Sequence, residues 1–304
     1  MSRAVPTYKL TRLAPTPSGY LHLGNALSFA ITYAAAQKYG AKILLRIDDL
    51  DQERIKEHYI QDIFDTLTFL EIPWDLGPKD LNDFKESYSQ IHRMSSYHHA
   101  LDYLSNHQHF FVCECSRKQV YENGSNGGYP GTCLHKNLSL HKTPGNWRLH
   151  TDESIIVLKQ ANGSLVKMNF PLVMKNFVVR KKDQSPSYQL ASVIDDIHFG
   201  VDLIIRGQDL WDSSLAQLYL SSLLPKNGFQ DNAFIHHKLV MHSRNKKLSK
   251  SKGATSIHGM RKLGKSKSEI YQMLGELMGF PIPIKDLKDF STAYNKKNGK
   301  SGFR

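Results

Sequence analysis

Apolar positions along the chain fall into short continuous runs and longer stretches at helical period. Tyr8–Leu10 predicts a short strand. In the following LSFAITYAAAQKYG, Leu27, Ile31, Ala34 and Ala35 recur at helical spacing, and Gly40 suits a helix C-cap. Ile43–Ile47, interrupted by Arg46, reads as a buried strand that ends in acids. ERIKEHYIQDIFDTLTFL reads as a helix that Glu71-Ile72-Pro73-Trp74 closes. Ser87–His109 predicts one amphipathic helix with Tyr88, Ile91, Met94 and Leu101 or Leu104 on one side. The runs WRLH, SIIVLK, LVKMNF and FVVRKKD between Trp147 and Lys182 predict strands of an inserted subdomain. Val201–Ile205 is a second buried strand, and Ser268–Gly279 a late helix. There is no internal repeat. Strand, turn and helix in this order predict an α/β fold, with ligands at the carboxyl ends of its strands.

Composition narrows the class. The 304 residues are 40% hydrophobic, enough to bury a sizeable core. No apolar run is long enough to span a bilayer, and MSRAVPTYKL lacks the apolar centre of a secretion signal. A cytoplasmic chain with no membrane partner is expected. Lys and Arg number 40 against 28 Asp and Glu, a net charge of +12. The surplus is densest in Arg244–Lys267 and in the tail Lys296–Arg304. It points to a polyanionic partner such as nucleic acid, with solvated lysines as the plainer alternative.

Five stretches carry candidate chemistry. Arg12–Asn25, RLAPTPSGYLHLGN, joins the first strand to the first helix through Pro15, Pro17 and Gly19. Its turn amides and helix N-terminus suit a phosphate, with His22 and Asn25 as side-chain donors. Asp48, Asp49 and Asp51 end the next strand, one fit to cap a helix and another to face a ligand. Arg206-Gly207-Gln208-Asp209 ends Val201–Ile205 in the same way, and Gly207 lets backbone approach a nucleotide. The three cysteines, Cys113, Cys115 and Cys133, lie in one glycine-bearing loop segment. That clustering predicts a zinc site with one further ligand, Tyr129 or His135, since three thiolates and a fourth donor complete a tetrahedron. Lys247-Leu248-Ser249-Lys250-Ser251, followed by Gly253, reads as a mobile basic loop that alone would be merely solvated.

Together these motifs resemble the class I aminoacyl-tRNA synthetases. His22-Leu23-Gly24-Asn25 is similar to their HIGH signature and Lys247–Ser251 to KMSKS, with Leu for Met. Arg12 with APTPSG resembles the glutamate-specific branch, as do RIDDLD and YQLASVIDD followed by IIRG. The resemblance covers roughly residues 5–260. It implies a Rossmann-like nucleotide-binding domain and adenylation of L-glutamate by ATP with Mg²⁺. His22 and Lys250 would be catalytic. His22, Gly24, Asn25, Gly207, Lys247, Ser249 and Lys250 would hold ATP. Arg12, Leu13, Ala14, Pro15, Thr16, Asp48, Tyr188 and Arg206 would line the glutamate site. Asp48 stands where the family has Glu, and Ser192 where full-length glutamyl enzymes have Asn. The cysteine segment resembles the structural zinc motif of bacterial glutamyl enzymes and of their truncated relatives, the glutamyl-Q tRNA(Asp) synthetases. In the latter the ligands match Cys113, Cys115, Tyr129 and Cys133.

The expected division is residues 1–110 for the first catalytic half, 111–185 for the zinc-containing insertion, 186–252 for the second half with the KLSKS loop, and 253–304 for a short basic remnant. Too few residues follow KLSKS for an anticodon-binding domain, so the truncated family is the nearer match. That family activates glutamate without tRNA and esterifies it to queuosine in the tRNA(Asp) anticodon arm. A monomer is expected. The competing readings are a paralogue with another acceptor, a non-catalytic glutamate- or tRNA-binding module, and a zinc-based nucleic-acid binder.

Overall fold

The computed structural model describes residues 5–124, 128–238 and 256–300, with only the backbone at Asn123, Gly299 and Lys300. In chain order the elements begin with β1 (Leu10–Leu13), α1 (Leu23–Tyr39), β2 (Lys42–Leu45), α2 (Glu57–Phe69), the single turn α3 (Leu81–Asp83) and α4 (Met94–Asn106). Next come β3 (Phe110–Cys113), α5 (Arg117–Asn123), β4 (Asn146–Leu149), β5 (Ile155–Gln160), β6 (Leu165–Asn169) and β7 (Val178–Arg180). The chain continues with α6 (Tyr188–Phe199), β8 (Leu203–Gly207), α7 (Trp211–Ser222), β9 (Ala233–His237), α8 (Ile257–Lys262), α9 (Lys267–Leu277) and α10 (Leu287–Lys300). Among the described residues no helix is long and apolar enough to cross a membrane.

Two compact units form. The first comprises residues 1–92, 203–208 and 235–304, and the second residues 93–202 and 209–234.

In the first unit β1 and β2 pair in parallel, Leu10 opposite Lys42 through Leu13 opposite Leu45. All four residues of β1 are buried, the pattern of a parallel strand covered on both faces. The helix α1 packs on β1, β2 and β8 and on α9 and α10. It is therefore buried nearly all round. Ala26, Ala30 and Ala34 are fully buried, which lets the neighbouring backbones come close, and Asn295 Nδ2 on α10 donates to Ala34 O at 3.1 Å. Gly40 ends the helix at φ +71°, the left-handed cap that glycine adopts without strain. Gly77 lies at φ +105°, and a Cβ there would collide with the Leu45 carbonyl. This close approach lets Leu76 add a parallel bridge beside Leu44.

The strand expected at Tyr8–Leu10 lies at Leu10–Leu13. Thr11 and Arg12 are polar, so the apolar run stops short of residues that pair with β2. The single helix expected over Ser87–His109 is broken: a wide turn at 84–88 and a tight one at 90–93 precede α4. Asp49 causes the break, because its carboxylate accepts from Ser89 Oγ at 2.6 Å and from the Gln90 amide at 2.7 Å. Ile91, expected on the apolar side, is 51% exposed.

In the second unit β3, β4 and β7 form an antiparallel sheet. β5 pairs with β6 as a hairpin and runs parallel to the start of β9, with Lys159 opposite Ala233. β4 to β7 meet the expectation for Trp147–Lys182, whereas β3 and β9 lie outside it. α6 packs against α4, α7 and β7. At its core Arg93 Nε meets Asp195 Oδ1 at 2.7 Å, and Tyr97 OH donates to the same oxygen at 2.6 Å. All three side chains are buried. Burial first, then the Asp195 charge, pushes the Tyr97 hydroxyl far above its usual range.

Candidate active site

The first unit builds its site on the turn between β1 and α1. His22 is the N-cap of α1, with extended backbone. Its Nδ1 accepts from the Gly24 amide at 3.1 Å and the Asn25 amide at 3.4 Å, while Asn25 Oδ1 accepts from the His22 amide at 3.0 Å. This reciprocal box satisfies donors that a helix start leaves open. Two consequences follow. The Gly24 and Asn25 amides, expected to face a phosphate, are directed to the His22 ring. Nδ1 as an acceptor also fixes the proton on Nε2, so the imidazole presents an N–H donor from the far side of the ring. Desolvation lowers the His22 pKa and keeps that ring neutral at neutral pH.

The residues before the turn are held by the second strand. Leu13 O accepts from the Arg46 amide and Pro15 O from the Asp48 amide, each at 2.9 Å. Leu13 and Pro15 are buried, Ala14 half-buried and Thr16 exposed. The Asp48 carboxylate lies within this frame and is gripped at both oxygens by Arg46, Nε to Oδ1 at 2.7 Å and Nη2 to Oδ2 at 3.0 Å. Asp49 is committed to Ser89 and Gln90, and exposed Asp51 pairs with Arg54. Of the three acids, Asp48 is the one that lies directly beside the residue 13–15 backbone.

Arg12 Nη1 donates to Ile205 O at 3.3 Å, which ties β1 to β8 next to Arg206. Both arginines are only 4% exposed. Two buried cations on neighbouring strands favour an anion between or beside them. His236 on β9 stays neutral there: burial first, then the Arg206 charge, pushes it down to about 3. Gly207 ends β8, half-buried. Tyr188 and Ser192 belong to the second unit, Tyr188 opening α6 and 44% exposed, Ser192 buried within it. Lys247, Ser249 and Lys250 lie outside the described residues.

The second unit gathers the cysteines. The sulfur atoms of Cys113, Cys115 and Cys133 all lie within 4.8 Å of one another, with Cys115 and Cys133 at 3.6 Å. A tetrahedron with metal–sulfur bonds of about 2.3 Å has edges of about 3.8 Å, so the donor set fits zinc. Cys113 ends β3, and Gly131 at φ +83° turns the loop that returns Cys133 to it. The Tyr129 hydroxyl accepts from the Cys133 amide at 2.8 Å, and the Arg148 guanidinium lies 3.9 Å from the Tyr129 ring centroid. Tyr129 and two of the thiols are buried together, whereas His135 is exposed. The geometry therefore favours Tyr129 over His135 as the neighbour of the thiols.

Sequence reasoning missed Arg46 as the partner of Asp48, and it missed His236. Arg46 was visible as the one charge inside an apolar strand. His236 offered no signal, since its neighbour Arg206 lies 30 positions away.

The sequence model for the catalytic domain of class I tRNA synthetases (E and Q) matches residues 10–295. A glutamyl-Q tRNA(Asp) synthetase of Nitratidesulfovibrio vulgaris is 31% identical over 283 residues, covering 88% of this chain and 86% of that protein. A second, from Symbiobacterium thermophilum, is 33% identical over 293 residues, covering 90% and 88%. The glutamate-tRNA synthetase structure of Elizabethkingia anophelis superposes with a TM-score of 0.74 at 22% identity, over 93% of this chain. The match spans 65% of that longer chain and speaks for the fold. The chain belongs to the class I tRNA synthetases of the E and Q type, within the group that holds the glutamyl-Q tRNA(Asp) synthetases.

Proposed function

We propose that the chain activates L-glutamate with MgATP and transfers it to the queuosine of tRNA(Asp), the first step needing no tRNA. The relatives named for that activity, matched over nearly their full length, carry the reading. The enzyme is a ligase. The glutamate α-carboxylate attacks the α-phosphate of ATP in line, the bond to pyrophosphate breaks, and glutamyl-adenylate forms. Such a reaction asks the protein for positioning and charge stabilisation. The His22 Nε2–H is aimed outward by its cap and donates to the phosphate oxygens as their charge grows. Gly24, Asn25 and Gly207 shape the nucleotide surface. Lys247, Ser249 and Lys250, assigned from the KLSKS resemblance, serve the leaving pyrophosphate.

Arg12 and Arg206 supply the positive charge that a buried substrate carboxylate requires, with Tyr188 as a further donor. Residues 13–16 line the pocket. Asp48 addresses the substrate ammonium, and Arg46 sets its orientation. The insertion over residues 111–185 is structural: Cys113, Cys115, Cys133 and Tyr129 would hold Zn²⁺, which would supply a structural crosslink and no chemistry to the reaction. The basic excess serves phosphates of the anticodon arm. The chain works as a cytoplasmic monomer.

Glutamate-dependent ATP–pyrophosphate exchange without tRNA tests the first step. Exchange with glutamate and not with glutamine or aspartate is the expected result. Absence of exchange with every amino acid overturns the enzyme reading and leaves a binding module.

A further inference from the structure

Asp62 lies on α2, outside every motif that the reaction uses, yet it is 2% exposed, accepts from two donors on two other segments and has a histidine beside it. The Leu21 amide reaches Oδ2 at 3.3 Å. Arg261 Nη2 on α8 meets Oδ1 at 2.7 Å, and His258 Nδ1 on α8 lies 3.4 Å from the same oxygen. Leu21 immediately precedes His22.

The same two segments meet at three successive residues. The Tyr20 ring stacks on His258 with centroids 4.1 Å apart and planes 11° apart. Leu21 O accepts from the Ile257 amide at 2.8 Å. His22 pairs with Ser256 in an antiparallel bridge. The Leu21 peptide is thus held at its N–H by Asp62 and at its C=O by α8. Asp62 grips α8 as well, which closes a ring of contacts around the residue that aims His22. A buried carboxylate of this kind keeps its partners only while its charge is matched. Removing it leaves the Leu21 amide and part of Arg261 without their acceptor.

We propose that Asp62 is a positioning residue for the adenylation step: by holding the Leu21 amide and the α8 side chains at once, it fixes the turn that presents the His22 imidazole to ATP. The proposal rests on the role given to His22 above. It assigns Asp62 no contact with substrate.

The test compares the full-length wild type with Asp62→Ala, Asp62→Asn, Arg261→Ala and the Asp62→Ala/Arg261→Ala double variant. Gln61→Ala, on the same helix, is the control. In glutamate-dependent exchange, Asp62→Ala is expected to lose at least about tenfold in kcat, with the KM for glutamate within about twofold. Asp62→Asn keeps an oxygen for Leu21 and is expected to lose only about threefold. The double variant should be no slower than Asp62→Ala alone, because both remove one ring of contacts. ATP affinity by calorimetry should weaken in Asp62→Ala and hold in Gln61→Ala.

A folded Asp62→Ala with wild-type kcat and ATP affinity overturns the proposal. So does a loss of kcat that matches only the unfolded fraction, or losses that multiply in the double variant. If Asp62→Ala does not fold, Asp62→Asn decides on the same measures. If the wild type shows no exchange, the activity reading fails separately, and the ¹⁵N resonances of His22 still test the positioning. A single Nε2–H tautomer in the wild type that averages in Asp62→Asn supports it, and identical spectra overturn it.

Discussion

His22 carries two tasks that substitutions separate. Its Nδ1 caps α1, accepting from Gly24 and Asn25 at 3.1 and 3.4 Å, and its Nε2–H is the donor assigned to the phosphates. Asparagine is among the best N-cap residues, so His22→Asn keeps the cap and removes the imidazole donor. Its stability should match the wild type within about 0.5 kcal/mol. Alanine removes both. Because the two cap bonds are of ordinary to long length, His22→Ala should cost about 1 kcal/mol, a few degrees in melting temperature. The loss of one preorganised donor to a charged transition state is worth about 10²- to 10³-fold in rate, roughly 2.7–4 kcal/mol. Both variants should therefore lose exchange activity about equally, and only His22→Ala should melt early. Pyrophosphate-exchange kinetics and thermal unfolding on the same samples read the two effects apart. A His22→Asn protein that exchanges within threefold of the wild type would refute the donor role.

Three further outcomes are expected. The His236 pKa of about 3 lies below its ordinary 6.5, so the unfolded chain takes up that proton first as pH falls. The stabilisation is full above about pH 6.5 and drains away towards pH 3. Urea unfolding from pH 7 to 4.5 should show the wild type losing ground to His236→Asn, and parallel curves would contradict this. Elemental analysis should find about one zinc per chain in the wild type and His135→Ala, much less in Cys133→Ser, and weakened retention under chelator in Tyr129→Phe. Equal zinc in wild type and Cys133→Ser would count against the site. Asp195→Ala leaves Arg93 buried without its carboxylate and should cost about 3–5 kcal/mol by denaturant unfolding, and a loss under 1 kcal/mol would be contrary.

The motifs proposed to hold small ligands were legible because they are local. Residues 12–25 carry their turn, cap and helix within one stretch, and the cysteines announce themselves by confinement between positions 113 and 133. Strands β4 to β7 were legible as short apolar and β-branched runs, but which face of β5 is covered was not: Ile156 and Leu158 are buried while the equally apolar Ile155 and Val157 are exposed. What escaped depends on distant partners. Thr11 and Arg12 hide the true span of β1, because their burial comes from β2 and β8. The break before α4 is made by Asp49, forty residues earlier. Asp62 reads as an ordinary charge on an amphipathic helix until Leu21 and Arg261, 41 and 199 positions away, close on it.

The acceptor is the central claim, and it is tested most directly by transfer of labelled glutamate to tRNA from cells with and without queuosine, with ATP present. Label on tRNA(Asp) of the queuosine-containing pool alone is the expected result, and alkaline lability of the label would mark an ester. Label on tRNA(Glu), or on both pools alike, would contradict it and identify a paralogue that charges another acceptor.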